Sequence, residues 1–450
     1  MRSRWASETL LWLIGAAGIA VIAVVQTTVF YRASPMIGIA LPIAAGVAAL
    51  VIAKPMVGAC LGIAAVPLEI LHTQISPMEG LLLLTAGAVL LRWAFGAARL
   101  RIDPVFMVFG AALLWMLAGL GVARDEFIVV RTLLMWASFA MVALFISNAT
   151  PKQVRMVLWA IVAGAVFTAL IAVASGTAQE ARAGATAVEG RAQGSFTHPA
   201  QLAFFLVMAL PPALVLIVKS RAWLRVLAAA AAVVIITVLV LTLTRGAIIG
   251  AGASLAIMLV WAPFRKVVSV VLVALLLFAV LNADAISRSE QLNLVGARLA
   301  TITNKDEATV NNNRLKIYST VPRISADHPV FGLGVGNFKD WSLYYGLSEG
   351  GLPFEHAHNV ALTVLVEQGI PGALLLLAML FLLFRVASEA LRQRRHPDFG
   401  YALAPIAGLG GLFVNSLLDY PPGSNPNMAL LLIEIGLLVA TARALQRPPT

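Results

Sequence analysis

The sequence predicts an all-α, polytopic membrane protein, and three observations support this fold class. Hydrophobic residues make up 60% of the 450-residue chain and charged residues only 12%, about half the roughly 25% that is usual in soluble domains. The apolar residues form unbroken runs of about 17–20 residues, the length of a helix that crosses a hydrocarbon core of about 30 Å. They do not alternate with polar residues as the strands of a membrane barrel do. Because lipid offers no hydrogen bonds to the backbone, these runs are expected to be helices.

Fourteen apolar runs are candidate membrane helices. Several are short or share a hairpin, which leaves both twelve and fourteen spans open. The first run follows Arg2 and Arg4 and is longer than the apolar core of a signal peptide, so we expect an uncleaved first helix. The candidate helices begin near Leu10, Pro35, Pro55, Met78, Pro104, Phe127, Val154, Pro199, Ala222, Gly246, Val267, Asn359, Gly400 and Asn427.

The positive charges indicate how the helices are oriented. Alternate loops are rich in Lys and Arg and poor in acidic residues, for example at Arg92–Arg101, Lys219–Arg225 and Arg385–Arg395. Because such loops stay on the cytoplasmic side, the pattern predicts an even number of helices with both termini cytoplasmic. The net charge of +11 is therefore a topology signal, and we do not interpret it as nucleic-acid binding.

Two long segments, residues 175–198 and 282–357, are expected on the opposite, periplasmic side, and they divide the chain. The larger segment is too long for a simple connection, and loops of this kind are often functional. Its charges nearly cancel and its apolar residues are scattered, which favours a small helical lid. The predicted divisions are an N-terminal bundle (1–174), a loop (175–198), central helices (199–281), the large loop (282–357) and C-terminal helices (358–450).

A short helix is predicted within this lid. Leu315, Tyr318, Pro322 and Ile324 could form one face of it, and it should end before Pro329. The glycine-rich stretch 332–336 further along the lid follows no strand of a βαβ unit, so it fails the context test for a dinucleotide-binding loop. We interpret it as a turn that brings the lid back to the membrane.

The richest group of reactive side chains lies where the lid enters the next helix, at Glu355–Asn359. Asn359 is a favourable N-cap residue. His356 and His358 near a helix start feel the positive end of the helix dipole, which favours the neutral imidazole. A neutral imidazole can accept a proton from a sugar hydroxyl, so these histidines are candidate general bases. The alternative is that they merely cap the helix at the membrane interface.

The helix that follows carries a second candidate. Asn359, Thr363 and Glu367 fall on one stripe at a spacing of four residues. Glu367 is an ionisable group inside a membrane helix, and such groups usually face the bundle interior and serve a function. We expect Asn359 and Glu367 to bind substrate. Gly369 and Pro371 should kink or break the helix just beyond it.

Three arginines are candidates for binding an anion. Arg191 precedes a span, Arg245 lies at a tight hairpin and Arg314 starts the predicted lid helix. A guanidinium group matches phosphate oxygens and keeps its charge, so it can stabilise a pyrophosphate leaving group. Salt bridges or contacts with lipid headgroups are the alternative for each arginine.

A metal site is a further alternative for the histidines. His356 and His358 could bind zinc with His198 or His328 as a third ligand, but no cysteine cluster accompanies them. We therefore predict that the site contains no metal.

Four motifs, taken together, resemble the O-antigen ligase and polymerase superfamily. They are Arg-Ala-Gln-Gly-Ser-Phe-Thr-His-Pro (191–199), Leu-Thr-x-Thr-Arg-Gly-Ala (241–247), His-Pro-x-Phe-Gly-x-Gly-x-Gly-Asn-Phe (328–338) and His-x-His-Asn-x-x-Leu-x-x-x-x-Glu-x-Gly-x-x-Gly (356–372). The last is the most specific. The resemblance covers residues 191–372 by motif and the whole chain by topology.

The resemblance implies a bacterial inner-membrane enzyme with a periplasmic active site. Its donor would be a glycan linked to undecaprenyl pyrophosphate, and the ligases pass this glycan to the lipid A-core with inversion and without nucleotide or metal. By motif, His358 corresponds to the family's essential histidine and Asn359 to its neighbour, whereas the family varies at His356. Arg191 and Arg314 correspond to arginines thought to hold the pyrophosphate, and Arg245 to the arginine of the Ser/Thr-Arg-Gly motif.

Other functions remain open at this point. We favour a ligase, but a polymerase that extends the glycan on its carrier differs at no residue we can name. Members that glycosylate proteins tend to carry a longer C-terminal periplasmic extension, which this chain is not expected to have. A secondary transporter would place its polar residues mid-membrane in paired repeats, whereas here they collect at one face.

Overall fold

The structure is a computed structural model that describes residues 35–71, 75–175, 191–269, 308–349 and 351–446. Among these residues, nine helices are long and apolar enough to cross a membrane. The apolar helices Pro55–Ala64 and Arg245–Met258 are shorter, with 10 and 14 residues. The observed elements confirm an all-α, polytopic membrane protein.

The helices follow one another through short connections. The helices are α1 (Pro35–Ala53), α2 (Pro55–Ala64), α3 (Pro77–Ala94), α4 (Pro104–Ala118), α5 (Glu126–Ile146), α6 (Pro151–Ala174), α7 (Pro199–Lys219), α8 (Ala222–Leu241), α9 (Arg245–Met258), α10 (Ala308–Asp327), α11 (Phe338–Ser342), α12 (Val360–Arg392), α13 (Phe399–Ser416) and α14 (Asn425–Leu445).

Twelve of the predicted helix starts lie within three residues of an observed start. The predicted span near Leu10, and most of that near Val267, lie outside the described residues. The total of twelve or fourteen spans therefore stays a prediction, as do the predicted divisions of the chain.

Sequence signals explain many of the observed helix starts. Pro follows the cap residue at the start of several helices, where its missing N–H and fixed φ cost nothing. Ser76 and Thr150 form capping boxes with Glu79 and Gln153, which satisfies two backbone donors at each helix start. These starts lie close to those that the sequence predicts.

The centre of the bundle is formed by α7 and α14, which are buried along most of their length. The helices α9 and α13 pack closely because both carry small residues at the contact. A Cβ on Gly250 would lie 2.8 Å from the carbonyl oxygen of Gly411, and one on Gly246 would lie 2.8 Å from Asn415 Oδ1. Such small residues let helix backbones approach one another in a membrane. This contact places Arg245 beside the end of α13.

The lid, residues 308–349 and 351–359, has a small hydrophobic core of its own. It contains α10, α11 and an antiparallel hairpin of β1 (Ser348–Glu349) and β2 (Leu352–Pro353). The core residues include Ile317, Val321, Ile324, Phe338, Leu347 and Phe354. The lid is therefore a folded unit, as predicted.

The predicted packed face of the lid helix is partly wrong. Ile324 is buried, but Leu315 is 63% exposed and Pro322 is also exposed. The packed residues are Ile317, Val321 and Ile324, which follow a spacing of four and three residues and so share one stripe of the helix. The helix ends at Asp327, before Pro329, as predicted.

The lid is attached to the membrane helices at a kink in α12. Gly369 has φ 67° and ψ −169°, so α12 consists of two helical parts that meet there, which confirms the predicted kink. The N–H of Ile370 donates to Pro329 O at 2.9 Å, and the N–H of Leu333 donates to Val366 O at 2.9 Å. The kink therefore supplies backbone hydrogen bonds to the glycine-rich turn of the lid.

Gly369 is required at this kink for two reasons. Its positive φ is a conformation that side chains rarely adopt, and a Cβ there would lie 2.5 Å from the carbonyl carbon of Val330. We expect Gly369→Ala to destabilise the protein by at least about 2 kcal/mol, because strain and steric overlap add. Thermal denaturation of the purified protein in detergent should show a lowered midpoint.

Gly87→Ala is the matched control. Gly87 lies in α3 at φ < 0 with nothing within 4 Å of a built Cβ, so its substitution should leave the midpoint unchanged or raise it slightly. Equal midpoints for the two variants would contradict the proposed lock between the lid and α12.

Candidate active site

Residues Glu355–Asn359 connect the lid to α12, and Asn359 holds this junction in place. Its side-chain oxygen accepts the N–H of Leu362 at 3.1 Å, which confirms the predicted N-cap. Its amide nitrogen donates to Leu417 O at 2.9 Å. Asn359 thus fixes the start of α12 against the end of α13.

The link between these two helix ends brings Asp419 to the histidines. The Nδ1 atom of His358 lies 3.3 Å from Asp419 Oδ1, and Nε2 of His356 lies 4.0 Å from the same oxygen. The two imidazole rings are 4.5 Å apart, edge to face. The Tyr420 ring lies 5.5 Å from that of His356. His356, His358 and Asp419 therefore form one cluster, which we call the histidine cluster.

The hydrogen bonds assign the position of the proton on each ring. His356 Nδ1 accepts the backbone N–H of His358 at 3.2 Å, so neutral His356 carries its proton on Nε2. His358 Nδ1 faces the Asp419 carboxylate, which can only accept. The proton of His358 therefore lies on Nδ1, and Nε2 keeps a lone pair that can take up a proton.

The charges of the histidine cluster are set by burial and by close neighbours. Burial lowers the pKa of His356 to about 4, although the nearby Asp419 opposes this shift. Burial alone would raise the pKa of Asp419, but the hydrogen bond from His358 and the two imidazoles lower it to about 2. At neutral pH the cluster therefore contains an ionised carboxylate and a neutral His356.

The backbone of His358 is in an unusual conformation. Its φ is 50°, in the left-handed region that non-glycine residues rarely occupy and that is often found at functional sites. The hydroxyl group of Tyr318 on the lid helix donates to His358 O at 3.2 Å. This hydrogen bond ties the lid to the residue that carries the candidate base.

Arg191 lies close to the histidine cluster and is held by the turn between α8 and α9. Its Nε donates to Thr242 O at 2.7 Å, and a terminal nitrogen donates to Thr244 Oγ1 at 2.9 Å. His198 is the N-cap of α7. Burial first, and then the charge of Arg191, lower the pKa of His198. The guanidinium therefore acts on the same region as the histidines.

The other two arginines approach the histidine cluster from different elements. Arg314 on α10 lowers the pKa of Tyr318, against the larger effect of burial, and Asp419 raises it. Arg314 and Asp419 are therefore both near the same phenol group. Arg245 begins α9, next to the end of α13 that precedes Asp419. The three arginines predicted from the sequence thus come from three separate segments at one end of the bundle.

Glu367 lies in a different environment. It is only 3% exposed, and its carboxylate accepts the backbone N–H of Phe338 at 3.3 Å, with Gly336 as a second backbone donor. In this structure Glu367 fixes the glycine-rich turn and the start of α11. Its predicted contact with substrate stays a prediction.

The histidine cluster also has the residues for a metal site. Within the described part of the chain, His356, His358 and Asp419 are the group that could hold an ion, with ligand atoms within 4.8 Å of one another. His198 lies close enough to be affected by the charges of Asp419 and His358. His328, the other suggested ligand, packs instead against Trp341 in the lid at a ring distance of 4.9 Å.

Sequence reasoning missed Asp419 and Tyr318 as site residues. Asp419 follows α13 and precedes Tyr420-Pro421-Pro422, a polar break between two apolar helices. An acidic residue at such a break, on the same predicted side as the histidines, was the available signal. Tyr318 was interpreted only as a packing residue, because its hydroxyl group reaches a backbone atom 40 residues away.

The fold and the site define an α-helical, polytopic membrane protein in which an acid–histidine pair, arginines and a lid lie at one end of the helix bundle. Residues 229–377 match the family model described as O-antigen ligase. The match confirms, for this segment, the resemblance found in the motifs. The match contains Arg245, Arg314 and both histidines of the cluster, whereas Arg191 and Asp419 lie outside it. The match to this family supports the interpretation that the protein is a membrane enzyme that transfers glycans.

Comparison with solved structures gives a distant similarity. A chain from a structure described as "Structural coordination of polymerization and crosslinking by a peptidoglycan synthase complex" aligns with a TM-score of 0.42 and 15% sequence identity. The alignment covers 75% of this chain and 96% of that chain. A similarity this low supports no conclusion about function. No curated protein matches the chain.

The protonation of His356 can be measured directly. Since burial lowers its pKa from the ordinary 6.5 to about 4, we expect its ring signals to stay at neutral values down to about pH 5. Histidine-labelled protein in nanodiscs would be titrated by NMR, with His356→Asn to assign the signal. The unfolded chain binds the proton more readily, so this group should reduce stability as pH falls from 6.5 towards 4. A titration midpoint above pH 6 for the His356 ring signals would contradict the lowered pKa of His356.

Proposed function

We propose that this protein is an O-antigen ligase, a glycosyltransferase that moves a glycan from undecaprenyl pyrophosphate to the lipid A-core. The observation that carries the proposal is the pairing of His358 with Asp419 at 3.3 Å, at the end of the bundle where Arg191, Arg245 and Arg314 also lie. A base and an anion-binding group are the two requirements for attack on a sugar carbon with a pyrophosphate leaving group.

His358 acts as the general base in this proposal. Asp419 holds Nδ1–H, so Nε2 faces the acceptor and removes the proton from its hydroxyl group as the oxygen attacks the anomeric carbon. Asp419 stabilises the positive charge that develops on the imidazole. The new carbon–oxygen bond forms on the face opposite the leaving group, so the configuration is inverted.

The arginines act on the leaving group. The bond between the anomeric carbon and the pyrophosphate oxygen breaks, and undecaprenyl pyrophosphate leaves with the electron pair. Arg191, Arg245 and Arg314 stabilise this negative charge, because guanidinium groups match phosphate geometry and remain charged. The proton on His358 is then released to water. We propose that no metal or nucleotide takes part.

The active site is proposed to face the periplasm of the bacterial inner membrane. The helix α12 starts at Val360, next to the histidine cluster, and ends at Arg392. Arg385 and Arg392 lie near its far end and Arg394 and Arg395 follow it, and such clusters favour the cytoplasmic side. Both termini are placed in the cytoplasm by the same rule.

Transfer with purified protein tests the proposal. The reaction would contain a lipid-pyrophosphate-linked glycan as donor, lipid A-core as acceptor and a chelator. We expect His358→Ala and Asp419→Asn each to lower the rate by about 10²–10⁴-fold, because either change removes proton transfer by a correctly oriented imidazole. The product would be followed by gel mobility and mass spectrometry.

His396→Ala is the control for this experiment. His396 lies just beyond the opposite end of α12, so its loss should leave the rate unchanged. Growth of glycan on the carrier without transfer to lipid A-core would show a polymerase in place of a ligase. Loss of transfer upon chelation, restored by a divalent cation, would contradict the metal-free mechanism.

A second prediction concerns the link between lid and base. Tyr318→Phe removes the hydrogen bond to His358 O (3.2 Å), which holds the left-handed backbone of the base. We expect kcat to fall about fivefold, the effect of one hydrogen bond of about 1 kcal/mol, while KM for the donor changes little. Steady-state kinetics over a range of donor concentrations would measure both parameters.

Tyr345→Phe is the matched control for Tyr318→Phe. Tyr345 lies in the same lid, and its hydroxyl donates to Asp327 Oδ2 at 3.0 Å without reaching the histidine cluster. The Tyr345→Phe variant should leave kcat unchanged. A fall in kcat for both variants would show a general effect on lid stability and would contradict the proposed role of Tyr318 in positioning His358.

A further inference from the structure

A group of aromatic and charged side chains lies where the lid meets the connection between α4 and α5, apart from the histidine cluster. Arg124, from the connection between α4 and α5, lies 3.7 Å over the ring of Trp341 and 5.8 Å from that of Tyr344. Its guanidinium also donates to Asp340 O at 2.8 Å. We call Arg124, Glu126, Asp340, Trp341 and Tyr344 the lid patch.

The aromatic rings of the lid patch pack against one another, and one of them is largely exposed. Trp341 and Tyr344 meet edge to face at a centroid distance of 5.5 Å, and Tyr344 packs in the same way against Tyr345 at 5.1 Å. Tyr344 is nevertheless 67% exposed. Its ring is therefore held by its neighbours while much of its surface remains available for contact.

A shallow polar depression lies beside these rings and is lined by Arg124, Asp125, Glu126 and Asp340. Three carboxylates surround one guanidinium, so the lining has a net negative charge. Such a surface repels phosphate groups and anionic lipid headgroups. Carboxylates and a guanidinium beside an exposed aromatic ring instead suit a ligand with many hydroxyl groups and apolar C–H faces.

We propose that the lid patch is a second sugar-binding site for a neutral or amino-sugar oligosaccharide. A sugar ring would stack on Tyr344, and its hydroxyl groups would bind to the side chains of Glu126, Asp340 and Arg124. The identity of the bound glycan rests on the proposed function. The lid patch would hold sugar units of the transferred chain that lie away from the reacting carbon.

The lid patch is connected to the histidine cluster through α11. Lys339 pairs with Glu355 at 3.3 Å, directly before His356. On the buried side of the same helix, Ser342 Oγ accepts the N–H of Phe354 at 2.9 Å, and the Phe354 ring lies 6.5 Å from that of His358. One short helix thus separates the two sites, a spacing suited to different units of a single glycan chain.

A direct binding measurement distinguishes glycan binding at the lid patch from catalysis at the histidine cluster. The probe is the glycan released by mild acid from the donor used in the transfer assay, added to the full-length protein in nanodiscs and followed by calorimetry. We expect Tyr344→Ala to weaken binding about tenfold, as the stacking surface is lost. Leu343→Ala is the control, since Leu343 is its neighbour and is 55% exposed without an aromatic ring. His358→Ala should retain binding.

The outcomes of this binding experiment test the proposed sugar-binding site independently of whether transfer to lipid A-core occurs. Binding that is weakened by Tyr344→Ala but kept by Leu343→Ala and His358→Ala supports the lid patch, even if no transfer to lipid A-core occurs. Binding that is lost in His358→Ala but intact in Tyr344→Ala places the sugar at the histidine cluster and overturns the proposal. Absence of glycan binding to the wild-type protein also overturns it, whether or not transfer is observed.

Discussion

The arrangement of the site depends on the backbone contact between the kink of α12 and the glycine-rich turn of the lid. At Gly369 the helix interrupts its own hydrogen bonding, and the lid supplies Pro329 O as the acceptor for Ile370 N–H. In a membrane an unsatisfied backbone group is costly, so a broken helix needs such a partner. Because His358 lies just before the N-cap of α12, the same contact fixes the lid relative to the candidate base.

Electrostatics explains why Asp419 matters beyond orienting one ring. The site collects His198, His356 and His358 beside arginines, and the charge of Arg191 adds to burial in lowering the pKa of His198. The carboxylate, whose pKa is lowered to about 2, keeps its negative charge within this group. In the proposed reaction, Asp419 can therefore stabilise a transient imidazolium, which leaves the arginines available for the leaving group.

Much of the fold could be predicted from the sequence, because helix length and apolar composition are local properties. The kink at Gly369 and the N-cap at Asn359 were also predictable, since each depends on a residue type with a specific backbone preference. The approach of Asp419 to His358 was not, because it depends on how α13 ends against α12. The exposure of Leu315 was missed for a similar reason: several stripes of a short helix can pack, and only the rest of the lid decides which one does.

The distance along the chain between the site residues has a consequence for how the enzyme is made. His358 and Asp419 are 61 residues apart, with the remainder of α12 and all of α13 between them. During synthesis the histidine emerges first and has no carboxylate partner until both helices have been inserted. If the pair acts as proposed, the growing protein would thus lack its complete site until its membrane domain is almost assembled.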